Sequence, residues 1–216
     1  ESSSEESSES SESSSEESSS ESSSESSESS SSSDGIPTCR GHTATIYVNE
    51  QNIIVGGDDD GDEYEGGLDG TASDDVIVGT AGEDEINGHS GDDVICGEDG
   101  DDVIEGGSGE DTIDAGPGND EVEADSGHDI IFGGPGHDVI EAEAGNDIVC
   151  AGPGTDWIEG DSGDDEIDGG PGVDAIDGGV GDDKLTGGDE TDTIDGGLGV
   201  DSCSGTCTVL GRKRHN

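Results

Sequence analysis

The chain has almost nothing from which to build an ordinary core. Its 216 residues include no Met, one Trp and one Phe, and apolar residues make up only 24%. Average soluble domains carry roughly twice that apolar share. So little burial alongside a formal net charge of -54 describes, by composition alone, a chain that cannot offset the entropy of ordering itself. Cations are scarce as well. Five Lys and Arg stand against 59 Asp and Glu, a balance that repels nucleic acid and anionic membranes and attracts cations and basic surfaces. No apolar run approaches the ~18 residues of a membrane-spanning helix. There is no apolar leader, and the chain opens on Glu1, as a mature form or a fragment would.

What is present is a period. From Gly70 to Ser204 the chain is fifteen nine-residue units with no insertion or deletion. Position six is Asp in every unit: Asp75, Asp84, Asp93, Asp102, Asp111, Asp120, Asp129, Asp138, Asp147, Asp156, Asp165, Asp174, Asp183, Asp192 and Asp201. Position four is Gly in thirteen units, with Ser73 and Glu190 as the exceptions, and position eight is Ile, Val or Leu until Cys203. Repetition this strict sets the architecture before local propensity is weighed. Gly at positions one, two and four predicts a turn over positions one to six. Positions seven to nine then form a short strand with position eight facing inward. Pro117, Pro135, Pro153 and Pro171 fall at position three and lie 18 residues apart, while acidic Asp125, Glu143 and Asp161 take position two in the units between them. That alternation predicts two units per coil and two sheets, a flattened roll roughly 36 Å long at a strand spacing of ~4.8 Å.

The flanks are of other kinds. Glu1 to Asp34 holds 23 Ser, ten Glu and one Asp, a composition expected to be disordered and to serve as a spacer, or as a cation-binding brush if phosphorylated. Gly35 to Asp69 is expected to cap the open first rung. Its strands are predicted at Thr43–Val48 and Asn52–Val55. Asp58-Asp59-Asp60-Gly61 departs from an EF-hand loop, because Gly56 stands where the first ligand Asp is required. It is expected to be an acidic turn. Gly205 to Asn216 is a short end closing on Arg212-Lys213-Arg214-His215, either plainly exposed or folded back onto the acidic edge.

One inward side chain per unit is a thin core against an ordering cost of about 1–2 kcal/mol per residue. The position-six carboxylates also stack in two columns and repel. A hard divalent cation between adjacent turns would remove that repulsion. Calcium is the best fit, since it takes carboxylate and carbonyl oxygens in irregular geometry. Magnesium holds its water too tightly, and zinc would need His or Cys at ligand spacing. Neighbouring Asp residues in the two columns define thirteen potential sites; about eleven are expected to be sound, because Ser73 and Glu190 weaken terminal ones.

These units resemble the RTX, or haemolysin-type, calcium-binding nonapeptide repeat, G-G-x-G-x-D-x-U-x, a motif of calcium-binding β-helices. Gly106 to Ile113, Gly133 to Ile140, Gly169 to Ile176 and Gly178 to Leu185 match every specified position, and Ala115, Ala124, Ala142 and Ala151 depart at position one. The resemblance implies a right-handed parallel β-roll. It implies calcium bound by the position-six Asp together with turn carbonyls, and a secreted protein that folds on meeting external calcium.

Five cysteines leave an odd one. Cys96 and Cys150 both occupy position nine, three coils and roughly 14 Å apart, beyond disulfide reach. Cys39 with Cys96 and Cys203 with Cys207 are the expected pairings, leaving Cys150 free or intermolecular; fully reduced cysteines are the alternative. No His-Glu-x-x-His helix and no Gly-x-Ser-x-Gly turn is present. The repeat itself accounts for the paired carboxylates, so glycosidase chemistry gains no support. The expected function is a secreted, non-enzymatic calcium-binding module on an acidic stalk. The alternatives are an acidic matrix or surface-layer protein touching mineral or cell wall, and the repeat portion of a toxin or hydrolase.

Overall fold

The structure, a computed structural model, describes residues 36–48, 54–57, 61, 63–204 and 207–209, with the side chains of 54 and 207–209 excepted. The Ser/Glu tail, the acidic turn at Asp58–Asp60 and the basic end at Arg212–His215 lie outside the described residues.

Every element described is a strand, and most are three residues long, as the nine-residue period requires. Within the repeats, strands pair in parallel with those 18 residues on: Thr112–Asp114 with Ile130–Phe132, and Glu121–Glu123 with Val139–Glu141. Alternate units therefore belong to alternate sheets, one of ten strands and one of nine. The result is a parallel β-solenoid of about eight turns, as the 18-residue alternation predicts.

The core is the file of position-eight side chains. Ile77, Ile95, Ile113, Ile131 and Ile167 come from one sheet, facing Ile86, Ile104, Ile140, Ile158 and Ile194 from the other, all at 0–1% exposure. Ala115, Ala124, Ala142 and Ala151 are wholly buried in the same cluster. Position one thus adds apolar surface wherever it is Ala, beyond the single inward residue per unit read from the sequence.

The proline alternation has a hydrogen-bonding cause. On the edge without proline, position three donates its N–H to the position-two carbonyl of the preceding coil, as Ala144 does to Asp125 (2.8 Å) and Ser162 to Glu143 (2.8 Å). Pro117, Pro135, Pro153 and Pro171 have no N–H to give. Their edge keeps only the position-four link that both edges share, Gly136 donating to Pro153 at 3.0 Å and Gly145 to Ser162 at 2.9 Å.

The lead-in differs from expectation in its strands. The segment expected as one strand at Thr43–Val48 divides in two. His42–Thr43 folds back on Thr38–Cys39 as a hairpin, and Ile46–Val48 joins the roll beside Val76–Val78. The hairpin turns at Arg40 and Gly41, with φ of 50° and 86°, the left-handed pair that a two-residue turn favours. Ile54–Val55 pairs antiparallel with Ile46–Val48. Gly67–Asp69 opens the second sheet beside Glu85–Asn87, so the coil begins half a turn before the regular period.

The hairpin also covers the outer face of the first sheet. Cys39 forms a disulfide with Cys96, the pairing the sequence suggested, and Ala44, Val78 and Cys96 are buried with it. Arg40 binds Asp114 at 2.8 Å and lies 3.7 Å over the Phe132 ring. Phe132 is thus the platform for Arg40. Cys150 is free, and Cys203 is disulfide-bonded. The side chain of Cys207, the partner expected for it, lies outside the described residues. At the far end Cys207–Val209 pairs with Asp192–Ile194, 15 rather than 18 residues on, so the register slips after Ser204.

Position four carries the tightest steric demand. A Cβ on Gly136 would sit 2.6 Å from the Gly118 carbonyl carbon and 2.9 Å from Asp138 Oδ1. We expect Gly136→Ala to cost about 1–3 kcal/mol in thermal unfolding of the folded protein, as overpacking does. Ser162→Ala, at an exposed position three, should stay within about 0.5 kcal/mol.

Candidate metal centre

Position six closes each turn, and its side chain points into the stack rather than to solvent. Fourteen of the fifteen expected ligands, Asp75 through Asp192, are buried at 8% exposure or less. Asp201, in the last coil, is exposed. Each buried Asp after the first coil does one job with half of its carboxylate. Its Oδ1 accepts the backbone N–H of the position-six residue one coil earlier: Asp75 to Asp93 at 2.7 Å, Asp111 to Asp129 at 2.8 Å, Asp138 to Asp156 at 3.0 Å. The link persists to Asp183 and Asp201, at 3.3 Å.

The other oxygen has no partner in most units. Oδ2 of Asp93, Asp102, Asp111, Asp120, Asp129, Asp138, Asp147, Asp156, Asp165, Asp174, Asp183 and Asp192 is buried and accepts nothing. Buried polar atoms are paired in all but a few cases, so twelve orphans in register call for an external partner. The space beside them is a cradle. A Cβ on Gly88 would fall 2.7 Å from Asp93 Oδ2 and 2.5 Å from the Gly106 carbonyl of the next coil; on Gly133 the distances are 2.8 Å to Asp138 Oδ2 and 2.6 Å to the Ala151 carbonyl. In such units carboxylate and carbonyl oxygens thus converge on one point beside position one. Among the described residues no three His, Cys, Asp or Glu side chains converge. The donor set is therefore mixed carboxylate and backbone oxygen, which suits calcium and not zinc. Where position one is Ala115, Ala124, Ala142 or Ala151 the methyl is buried in the core, yet the neighbouring Asp120, Asp129, Asp147 and Asp156 keep an orphaned oxygen.

A second ladder, which the sequence reading missed, runs through position five. The side chain there accepts the position-five N–H of the next coil, as Asp92 does from Glu110 (2.9 Å) and Asn146 from Asp164 (2.9 Å). His128 and His137 serve in the same file, each accepting through Nδ1, from Asn146 at 2.8 Å and Thr155 at 2.9 Å. The missed signal was that position five is Asp, Asn or His in most units, the types whose short side chains accept from a nearby amide. The two ladders run in opposite senses along the roll, because consecutive side chains at five and six point opposite ways.

Burial raises the position-six carboxyls, and the amide donated to Oδ1 only partly offsets it. Asp93, Asp120 and Asp156 are pushed up to about 6, and Asp102, Asp129, Asp138 and Asp165 to about 7. Burial raises Asp84 to about 6 as well, opposed there by the Thr80 amide. A carboxyl raised in the folded state stabilises the fold fully below its unfolded value, near 3.9. That contribution is lost as pH rises through the folded value. The metal-free roll should therefore gain β-structure on acidification. Far-UV circular dichroism in chelator should show β-content falling between about pH 6 and 7, and calcium addition near pH 6 should release protons measurable by a pH-stat.

A family model described as the RTX calcium-binding nonapeptide repeat (4 copies) matches residues 69–104, 97–131, 123–158, 151–185 and 168–203. No curated protein matches the chain. The matched segments run unbroken from 69 to 203, well over half of the 216 residues, and they coincide with the coils that carry the Asp columns. The chain belongs to the RTX calcium-binding nonapeptide-repeat family.

Proposed function

We propose that this protein is a secreted, non-catalytic calcium-binding module whose roll folds when calcium enters the stack. The observation that carries the reading is the set of twelve buried, orphaned Oδ2 atoms. Without a cation each is a desolvated carboxylate oxygen with no donor, a condition that costs free energy. With one cation per orphan the repulsion down each column is relieved and adjacent coils are clipped together. That number falls within the eleven to thirteen sites expected from the repeat. The Cys39–Cys96 disulfide supports an oxidising, extracellular setting, as does the secretion typical of the family. External calcium modules work near ~0.1–1 mM, so the roll would be unfolded in cytosol and folded outside.

A second use of the same rod has one observation in its favour. Glu105, Glu123, Glu141 and Glu159 lie in register along the outer face of one sheet. Burial and the surrounding carboxylates push Glu123 and Glu159 upward. This comb of carboxylates suits contact with a mineral or a basic cell-wall surface.

Calcium titration followed by far-UV circular dichroism, with magnesium as control, tests the main reading. A cooperative coil-to-β transition with calcium alone is expected. Complete β-structure in chelator, or an equal response to magnesium, would overturn it. Asp129→Asn, in mid-column, should raise the calcium midpoint severalfold while leaving the end state folded.

A further inference from the structure

Two of the buried Asp residues differ from the rest. Asp75 and Asp84 are the first in each column, and neither has an orphaned oxygen. Asp75 Oδ2 accepts from the Thr71 amide at 2.8 Å and the Thr71 hydroxyl at 2.7 Å. Asp84 Oδ2 accepts from the Thr80 amide at 2.6 Å and the Thr80 hydroxyl at 3.1 Å. Asp75 Oδ1 is satisfied too, by the Thr45 hydroxyl at 3.2 Å.

The backbone explains why these units diverge. Thr71 and Thr80 occupy position two, which is left-handed in the thirteen later units, whether filled by Gly107 (φ 101°) or by Asp125 (φ 68°). Thr71 and Thr80 have no positive φ. A β-branched side chain is a severe outlier in that region. The first two turns therefore take another path, and it brings the position-two N–H and O–H onto the carboxylate. Four further features converge on the same end of the roll. The Cys39–Cys96 disulfide closes 57 residues into a loop. Arg40 is held between Asp114 and Phe132. Ile46–Val48 pairs with the first rung. The hairpin buries Val78 against Cys39. At the opposite end Cys203 is disulfide-bonded and Cys207–Val209 adds a strand, but Asp192 keeps its orphaned oxygen.

We propose that the amino-terminal end of the roll, from the hairpin to about Cys96, is a calcium-independent seed. In it Thr71 and Thr80 replace the cation at Asp75 and Asp84, and calcium-dependent coils add to it toward the carboxyl terminus. The first member of each column is then closed to calcium, and folding has a direction. This inference rests on the reading that the orphaned Oδ2 atoms take calcium.

Hydrogen–deuterium exchange of the full chain, in chelator and in calcium, separates the two claims. In chelator the amides of Ile46–Val48, Val76–Val78, Glu85–Asn87 and Val94–Cys96 should exchange at least tenfold more slowly than an unstructured chain. Those from Ile130 to Thr193 should exchange at the unstructured rate until calcium is added. If nothing is protected in chelator while calcium protects the whole roll, the seed is overturned and the calcium reading stands. If the amino-terminal strands are protected and calcium changes nothing beyond them, the calcium reading fails and the seed remains. Even protection throughout in chelator, or protection beginning at the carboxyl end, overturns the seed. Thr71→Val with Thr80→Val keeps the amides and removes the hydroxyls. It should abolish the chelator-stable protection at Val76–Val78 and Glu85–Asn87 and leave the calcium-loaded protection beyond Ile130 unchanged. Unaltered chelator-stable protection in that variant would exclude the threonines from the role.

Discussion

The structure depends on a carboxylate used by halves. At each position six one oxygen accepts the amide of the coil before, which sets the spacing and register of the stack. The same bond fixes the side chain so that its second oxygen is buried without a donor. A residue able to satisfy both oxygens from within the chain would make a metal unnecessary. A residue pointing to solvent would make it ineffective. Asp has the one length that allows the first oxygen to reach the next coil while the second stays in the cradle beneath position one.

The other features follow from this constraint. Position four is Gly because the coils approach until its carbon meets the carbonyl of the coil before. Position two turns left-handed to carry the chain around the cradle. Position eight can be a single Ile because the stack is held in two other places: by the ladder hydrogen bonds between strands, and by the opposed ladders of positions five and six. The scarcity of apolar residues is thus a property of the design. On the proposed reading, a chain that borrows cohesion from an ion needs little core, and its negative charge would keep the metal-free form expanded.

Much of this was legible in the sequence because periodicity is read without knowing any contact. The invariant Asp file gave the columns, and the 18-residue proline spacing gave two units per coil. The position-nine placement of Cys96 and Cys150 excluded a bond between them, and the structure joins Cys96 to Cys39. What stayed hidden has no period. The sequence did not reveal that Arg40 and Gly41 turn a hairpin that lies across the outer sheet, or that Arg40 reaches Phe132. Those contacts join residues far apart in the chain through one irregular segment. The position-five ladder was hidden for another reason. Asp, Asn and His share an acceptor but not a name, so the eye reads variation where the hydrogen bond sees identity. Thr71 and Thr80 stand at position two, and only the backbone path shows that they turn a donor toward the carboxylate.

The most direct test of the central claim is an anomalous-scattering map from crystals grown in calcium. The account predicts peaks in two columns, each about 2.3–2.6 Å from an Oδ2 of the series Asp93 to Asp192, with none beside Asp75 or Asp84. Calcium found instead on the outer carboxylates such as Glu105 and Glu123, with the position-six cradles empty, would contradict it.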